Sequence, residues 1–148
     1  MKHFSIVTAI MLAIIINFNL EAANTVFYVD VVNGSDSSSG TSESEAWQSL
    51  SKVDSTTFSE GDTILFKAGC SWEGQLCPKG SGSSSHPIVI DMYGSGDKPI
   101  IAANGTQLST LYLRNQEYWE INKKNIQDAR MFMYTMIAPG VICRAKNR

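Results

Sequence analysis

Cysteine and histidine are scarce in this chain, and so are recognisable ligand or phosphate motifs. The 148 residues hold three cysteines and two histidines. Cys70, Cys77 and Cys143 are too few and too scattered for a structural zinc site, which takes four clustered ligands. Gly34 and Gly40 are followed by no Gly-Lys-Ser/Thr, so the glycine loop they bracket is no phosphate loop. The formal net charge is −2, and no basic face is available for nucleic acid. Beyond the first residues no stretch is long and apolar enough to span a membrane, so no stable span is expected once the leader is removed.

What is present begins at the N-terminus. Lys2 and His3 precede an apolar run from Phe4 to Phe18, and the small pair Ala22-Ala23 follows. That three-part layout predicts a secretory signal peptide over residues 1–23, cut near Ala23, although Glu21 is a poor residue at the −3 position. A secreted, cell-surface or periplasmic location follows. About 125 residues remain, enough for one small domain. Export permits a Cys70–Cys77 disulfide if the chain turns back between them, and two free or buried thiols are the alternative.

Charge is unevenly spread. Residues 24–121 carry 5 basic and 12 acidic side chains, whereas residues 122–148 carry 6 basic residues and one acid, Asp128. Met131, Met133 and Met136 also fall in the last stretch. Codon arithmetic offers a cause. Met131 to Ile137 are encoded by ATG TTY ATG TAY ACN ATG ATH, and dropping two bases gives Val-(Tyr/His)-Val-(Tyr/His)-X-Asp. That is an alternating strand ending on a turn residue. Residues 130–148 are therefore read as an atypical tail, with two readings: a basic tail that contacts a partner, or, as the codons favour, a stretch displaced in frame near Arg130.

Between these ends the pattern is short strands. Residues 25–30 are β-branched and aromatic, residues 33–41 are turn formers, and Ala46, Trp47, Leu50 and Val53 fall at helical spacing within residues 45–53. Strands are expected at 63–67, 72–76, 87–91, 99–102, 111–113 and 118–121. Ile64 to Ile88 is 24 residues and Ile88 to Leu111 is 23, while Gln75, Ile100 and Trp119 form a second series with steps of 25 and 19. Two interleaved series at such a period predict stacked coils, against an ordinary sandwich with strands every 8–12 residues. Residues 24–62 then supply a first strand, a loop and a capping helix around Trp47, Leu50 and Val53, and residues 63–129 the first coils.

Phe27-Tyr28-Val29-Asp30, Gly34-Ser35-Asp36, Gly40-Thr41 and Ala46-Trp47-Gln48-Ser49-Leu50, followed by the nine residues from Gly61 to Gly69, resemble the opening of right-handed parallel β-helix proteins of the pectate-lyase-like superfamily. The resemblance covers residues 26–128. It implies an all-β fold, the N-terminal part of a right-handed parallel β-helix with a short capping α-helix. It further implies an exported protein of polysaccharide lyase or hydrolase type, or a non-catalytic glycan-binding or adhesin-like relative. Polysaccharide, often acidic, is the implied partner, and calcium an implied cofactor of full-length relatives. The family's catalytic base, calcium carboxylates and basic binding residues belong to later coils. No residue here matches them, so no catalytic, cofactor-binding or metal residue is assigned, and the chain by itself is expected to be inactive.

The residues themselves agree with that restraint. Asp30 and Asp36 flank the glycine-serine loop but lack the six to eight oxygens calcium takes, and they read as turn caps. Glu117 and Glu120, three apart on a strand, would point to opposite faces rather than act as a hydrolytic pair. His86 sits before Pro87 in a serine-rich loop with no nucleophile set beside it. Asn33-Gly34-Ser35 and Asn104-Gly105-Thr106 match a glycosylation pattern but are also turn signals.

Overall fold

The computed structural model describes residues 24–103, 109–122 and 127–128. The expected leader at 1–23, the tail at 130–148 with Cys143, and Asn104-Gly105-Thr106 lie outside the described residues.

The described chain is mostly β. Nine short strands run in order: β1 (Val26–Val29), β2 (Thr57–Phe58), β3 (Thr63–Lys67), β4 (Ser71–Glu73), β5 (Lys79–Gly80), β6 (Ile88–Tyr93), β7 (Ile100–Ala102), β8 (Trp119–Ile121) and β9 (Gln127–Asp128). One α-helix, α1 (Leu50–Ser55), lies between β1 and β2. The strands form three sheets, ordered β1-β3-β6-β8, β2-β5 and β4-β7-β9. Every strand pairing among the described residues is parallel.

Parallel register stacks like on like. Phe27, Ile64, Ile90 and Ile121 occupy one row across the four-stranded sheet. Ile64 and Phe66 are wholly buried, while Thr63, Leu65 and Lys67 stay partly exposed. The alternation legible in 63–67 is thus the two faces of β3. The interior is closed by rings: Phe27 stacks on Trp47 at 4.8 Å, and Phe58 meets Trp119 edge-on at 6.2 Å. Phe66 meets Trp72 edge-on at 5.1 Å.

The periodic reading needs correction at three places. The repeat in register is longer than 23–25 residues, since Ile64 pairs with Ile90 and Ile90 with Ile121. Trp119 joins the sheet of Ile64 and Ile88, not that of Ile100, since it pairs in parallel with Ile88 on β6. Leu111 leaves the Ile64 series and makes an isolated parallel bridge to Leu76.

The helix is also shorter than its spacing suggested. Ser49 caps it, its hydroxyl accepting from the Lys52 amide at 3.1 Å, so α1 starts at Leu50. Trp47 is extended instead. Its amide donates to the Tyr28 carbonyl at 2.9 Å and its carbonyl accepts from Asp30 at 2.8 Å. Tyr28 also donates to the Gly40 carbonyl at 2.7 Å. Residues 40–47 thereby cover the free edge of β1, which would otherwise present unpaired backbone. Leu50 and Val53 are the buried residues of α1. The loop before β8 is pinned through Gln116 to the Pro78 carbonyl (2.7 Å) and through the Trp119 indole to the Gly80 carbonyl (3.0 Å).

Asp54, on α1, accepts from the Cys77 amide at 2.6 Å. Burial pushes its carboxyl above the ordinary range, against that hydrogen bond and the charge of Lys79. A raised native pKa favours the protonated form, so this contribution to stability is present at low pH and lost as pH rises through the native value. Asparagine keeps the acceptor and discards the charge. Asp54→Asn is expected to raise Tm at pH 7 by roughly 2 °C, after allowance for solvent screening, and to give no gain at pH 3; thermal melts at both pH values check this.

Candidate functional site

The outward face of the four-stranded sheet brings together polar side chains from β1, β3 and β6. Register, rather than sequence proximity, assembles it. Tyr28 on β1, Leu65 on β3 and Asp91 on β6 share one row, and Asn122 follows β8 in the same line, its amide bonded to the Ile90 carbonyl. Asn122 donates from its side chain to Asp91 at 3.1 Å. Two rows further on, and on the same face, Lys67 lies opposite Tyr93.

Asp30, one residue beyond β1, completes this corner. It is 2% exposed and fully engaged. One carboxylate oxygen accepts from the amides of Val32 and Asn33 at 2.9 and 3.1 Å. The other accepts from the Asn33 side chain and from the Lys67 ammonium. Burial alone would push its carboxyl up, but the Lys67, Asn33 and Val32 hydrogen bonds outweigh it and hold the group below the ordinary value. The Asp30 carboxylate in turn holds the Lys67 ammonium up. Both members therefore stay charged at neutral pH, which suits fixed recognition and not proton transfer.

Two further groups close the corner. Cys70 is buried, and burial pushes its thiol up, with the Asp30 carboxylate adding to the shift; it is a poor nucleophile. Tyr93 packs edge-on against Tyr28, ring centroids 5.1 Å apart. Burial pushes its phenol well up, and the Asp30 and Glu43 carboxylates push the same way. Its hydroxyl is the buried side-chain polar atom among the described residues that has no hydrogen-bond partner.

The residues weighed from sequence are dispersed. Asp36 serves the helix rather than its own turn: it accepts from the Gln48 and Ser49 amides, both at 2.9 Å, and from the Ser49 hydroxyl at 2.6 Å. Glu117 lies in the loop before β8, whereas Glu120 lies on β8 between buried Trp119 and Ile121. His86 is exposed, with Nδ1 2.9 Å from the Ser85 hydroxyl. Cys70 and Cys77 are both free thiols, so the disulfide is not formed. Among the described residues no group of three or more His, Cys, Asp or Glu is placed to hold a metal ion. No helix among them is long and apolar enough to cross a membrane.

No family model matches the sequence. A lacto-N-biosidase of Bifidobacterium longum subsp. longum is 35% identical over 92 residues, covering 58% of this chain and 6% of that protein. Among solved structures, the selenomethionine derivative of GH136 lacto-N-biosidase from Eubacterium ramulus superposes with a TM-score of 0.64 at 25% identity, over 76% of this chain. The native form of the same enzyme gives 0.61 at 23% identity over 78% of this chain, a likeness of fold alone. The similarity is to lacto-N-biosidases.

These are glycoside hydrolases, and this chain spans about a fifth of the solved chains, 21% of each. The pectate-lyase-like assignment, and the lyase type with it, is therefore corrected. The physical reason lies in what residues 61–69 do. They supply a turn, a strand with alternate side chains buried, and a second turn. Parallel stacking demands that pattern of any such strand, and it contains no reacting group that would tell one activity from another.

Proposed function

We propose that this chain is a segment of a carbohydrate-active protein of the glycoside-hydrolase kind. In this reading residues 24–62 are its cap, and residues 63–129 are the first turns of a right-handed parallel β-helix. The observation that carries it is the paired likeness to lacto-N-biosidases: 35% identity over 92 residues, and superposition over 76% of the chain. The polar outer sheet face, with Tyr28, Asp91 and Asn122 in one row, is chemically suited to sugar hydroxyls.

The hydrolytic groups are carried outside this segment. Glycoside hydrolysis takes two carboxyl groups flanking one bond, one of them kept protonated by a raised pKa. Asp30 is held ionised by Lys67, and the raised carboxyl of Asp54 is engaged by the Cys77 amide. Neither is poised to protonate a leaving group. Residues 1–23 act as the export signal, the protein works outside the cytoplasm, and residues 130–148 are out of frame.

The test extends the chain. The alternative frame is restored at Arg130, the longer product is expressed, and release of sugar from a lacto-N-bioside is measured. Activity is expected in the extended product. An extended product that folds yet cleaves no glycoside would overturn the hydrolase reading.

A further inference from the structure

The corner formed by Tyr28, Asp30, Lys67 and Tyr93 holds an orphan. The Tyr93 hydroxyl is buried and makes no hydrogen bond, while the carboxylate of Asp30 nearby already has four donors, one of them Lys67. A buried hydroxyl without a partner is unfavourable, and one kept in a native structure calls for an explanation, a bound group among them. Tyr93 is 9% exposed, and the Tyr28 ring lies across it edge-on. Tyr28 itself is only partly buried, on the outer face of an edge-proximal strand.

The geometry points to this corner as a binding subsite for one ring of a neutral oligosaccharide, an inference that rests on the carbohydrate-active reading above. Tyr28 offers an aromatic face for the apolar side of a sugar ring. The Tyr93 hydroxyl gains its missing partner from a ring hydroxyl. Lys67, with its side chain 37% exposed, and the Asp91–Asn122 pair, two rows away on the same face, supply directed donors and acceptors.

Charge decides against an acidic glycan. Lys67 is the cation of the corner and is already neutralised by Asp30. The carboxylates of Glu43 and Asp91 add negative charge on the same side. Residues 24–121 carry 12 acidic side chains against 5 basic ones, so a uronate meets repulsion on approach. The acidic polysaccharide expected from sequence does not suit this surface.

The test titrates the full 148-residue chain with a neutral N-acetylhexosamine-containing tetrasaccharide and, separately, with tetragalacturonate. Binding is followed by calorimetry and melting by circular dichroism. The neutral probe is expected to bind and the uronate not. Tyr93→Phe is expected to weaken neutral binding about tenfold while Tm holds or rises, because the hydroxyl it removes makes no bond in the free chain. A purely structural Tyr93 would leave affinity unchanged. Tyr28→Ala is expected to abolish binding. Equal affinity of Tyr93→Phe and the parent chain, equal binding of both probes, or binding of neither overturns the proposal. None of these outcomes bears on whether the extended product hydrolyses a glycoside.

Discussion

Gly80→Ala is expected to abolish the cooperative unfolding transition of the chain, at a cost of about 3–5 kcal/mol. Gly80 lies in β5 at φ +109°, where a side chain is strained, and an added Cβ would sit 2.1 Å from the Phe58 carbonyl oxygen. That oxygen belongs to the paired strand and cannot yield without breaking β2 from β5. The Gly80 carbonyl also accepts the Trp119 indole N–H at 3.0 Å, so a shift here unseats a fully buried tryptophan and its edge contact with Phe58. Gly69 supplies the control. It has φ +73° but nothing within 4 Å of its added Cβ. Gly69→Ala then costs only the left-handed backbone penalty of about 1 kcal/mol. Urea unfolding of the two variants separates them. Equal losses would mean that the β2–β5 contact is not part of the solution fold.

Asp30→Ala is the second large effect, expected at about 2–4 kcal/mol at pH 7. It strips the acceptor from the Val32 and Asn33 amides and leaves the Asn33 side chain without that partner. Asp30→Asn keeps one oxygen for the amides, so it costs less. The pH dependence has a definite sign. The native carboxyl is held below its ordinary value of 3.8, so its contribution is complete above that value and is lost as pH falls through the lowered native one. The gap between the parent chain and Asp30→Asn should therefore be widest near pH 7 and narrow below pH ~4. Urea midpoints at pH 7 and pH 3 read this. A constant gap would show that the Lys67 pairing contributes nothing.

Strand β3 was legible because Ile64 and Phe66 alternate with partly exposed neighbours, and period two is visible within five residues. Strands β2 and β5 were not, since two-residue strands are too short to carry a period. Trp47 misled because it lies three residues before Leu50, a helical interval, although its backbone is committed to the edge of β1. The series through Leu111 and Trp119 crossed over because equal spacing assumes equal bends, and the connection between β7 and β8 is longer than the one between β4 and β6. The corner of Tyr28, Asp30, Lys67 and Tyr93 was invisible for a different reason. Its residues come from β1 and its end, from β3 and from β6, and of them only Asp30 is marked by its local sequence, as a turn cap. Only the register, which sets Lys67 against Tyr93, brings them together. A sequence reading that had aligned the strands row by row would have found it.

The family resemblance failed in an informative way. The segments from Phe27 to Leu50 and from Gly61 to Gly69 do structural work: they pair an edge, cap a helix and feed a strand into a sheet. Such segments speak of how parallel strands are stacked, and a fold serves many chemistries. The superposition found is on GH136 lacto-N-biosidase, over 76% of this chain and 21% of that one.

The proposed division between scaffold here and hydrolytic groups elsewhere is tested most directly by one assay of the 148-residue chain alone. It is incubated with a chromogenic lacto-N-bioside, and release of the chromophore is followed at pH 5 to 8. No release above the rate of buffer is expected. Saturable turnover, lost on substituting a carboxylate such as Asp91 or Glu120, would contradict it.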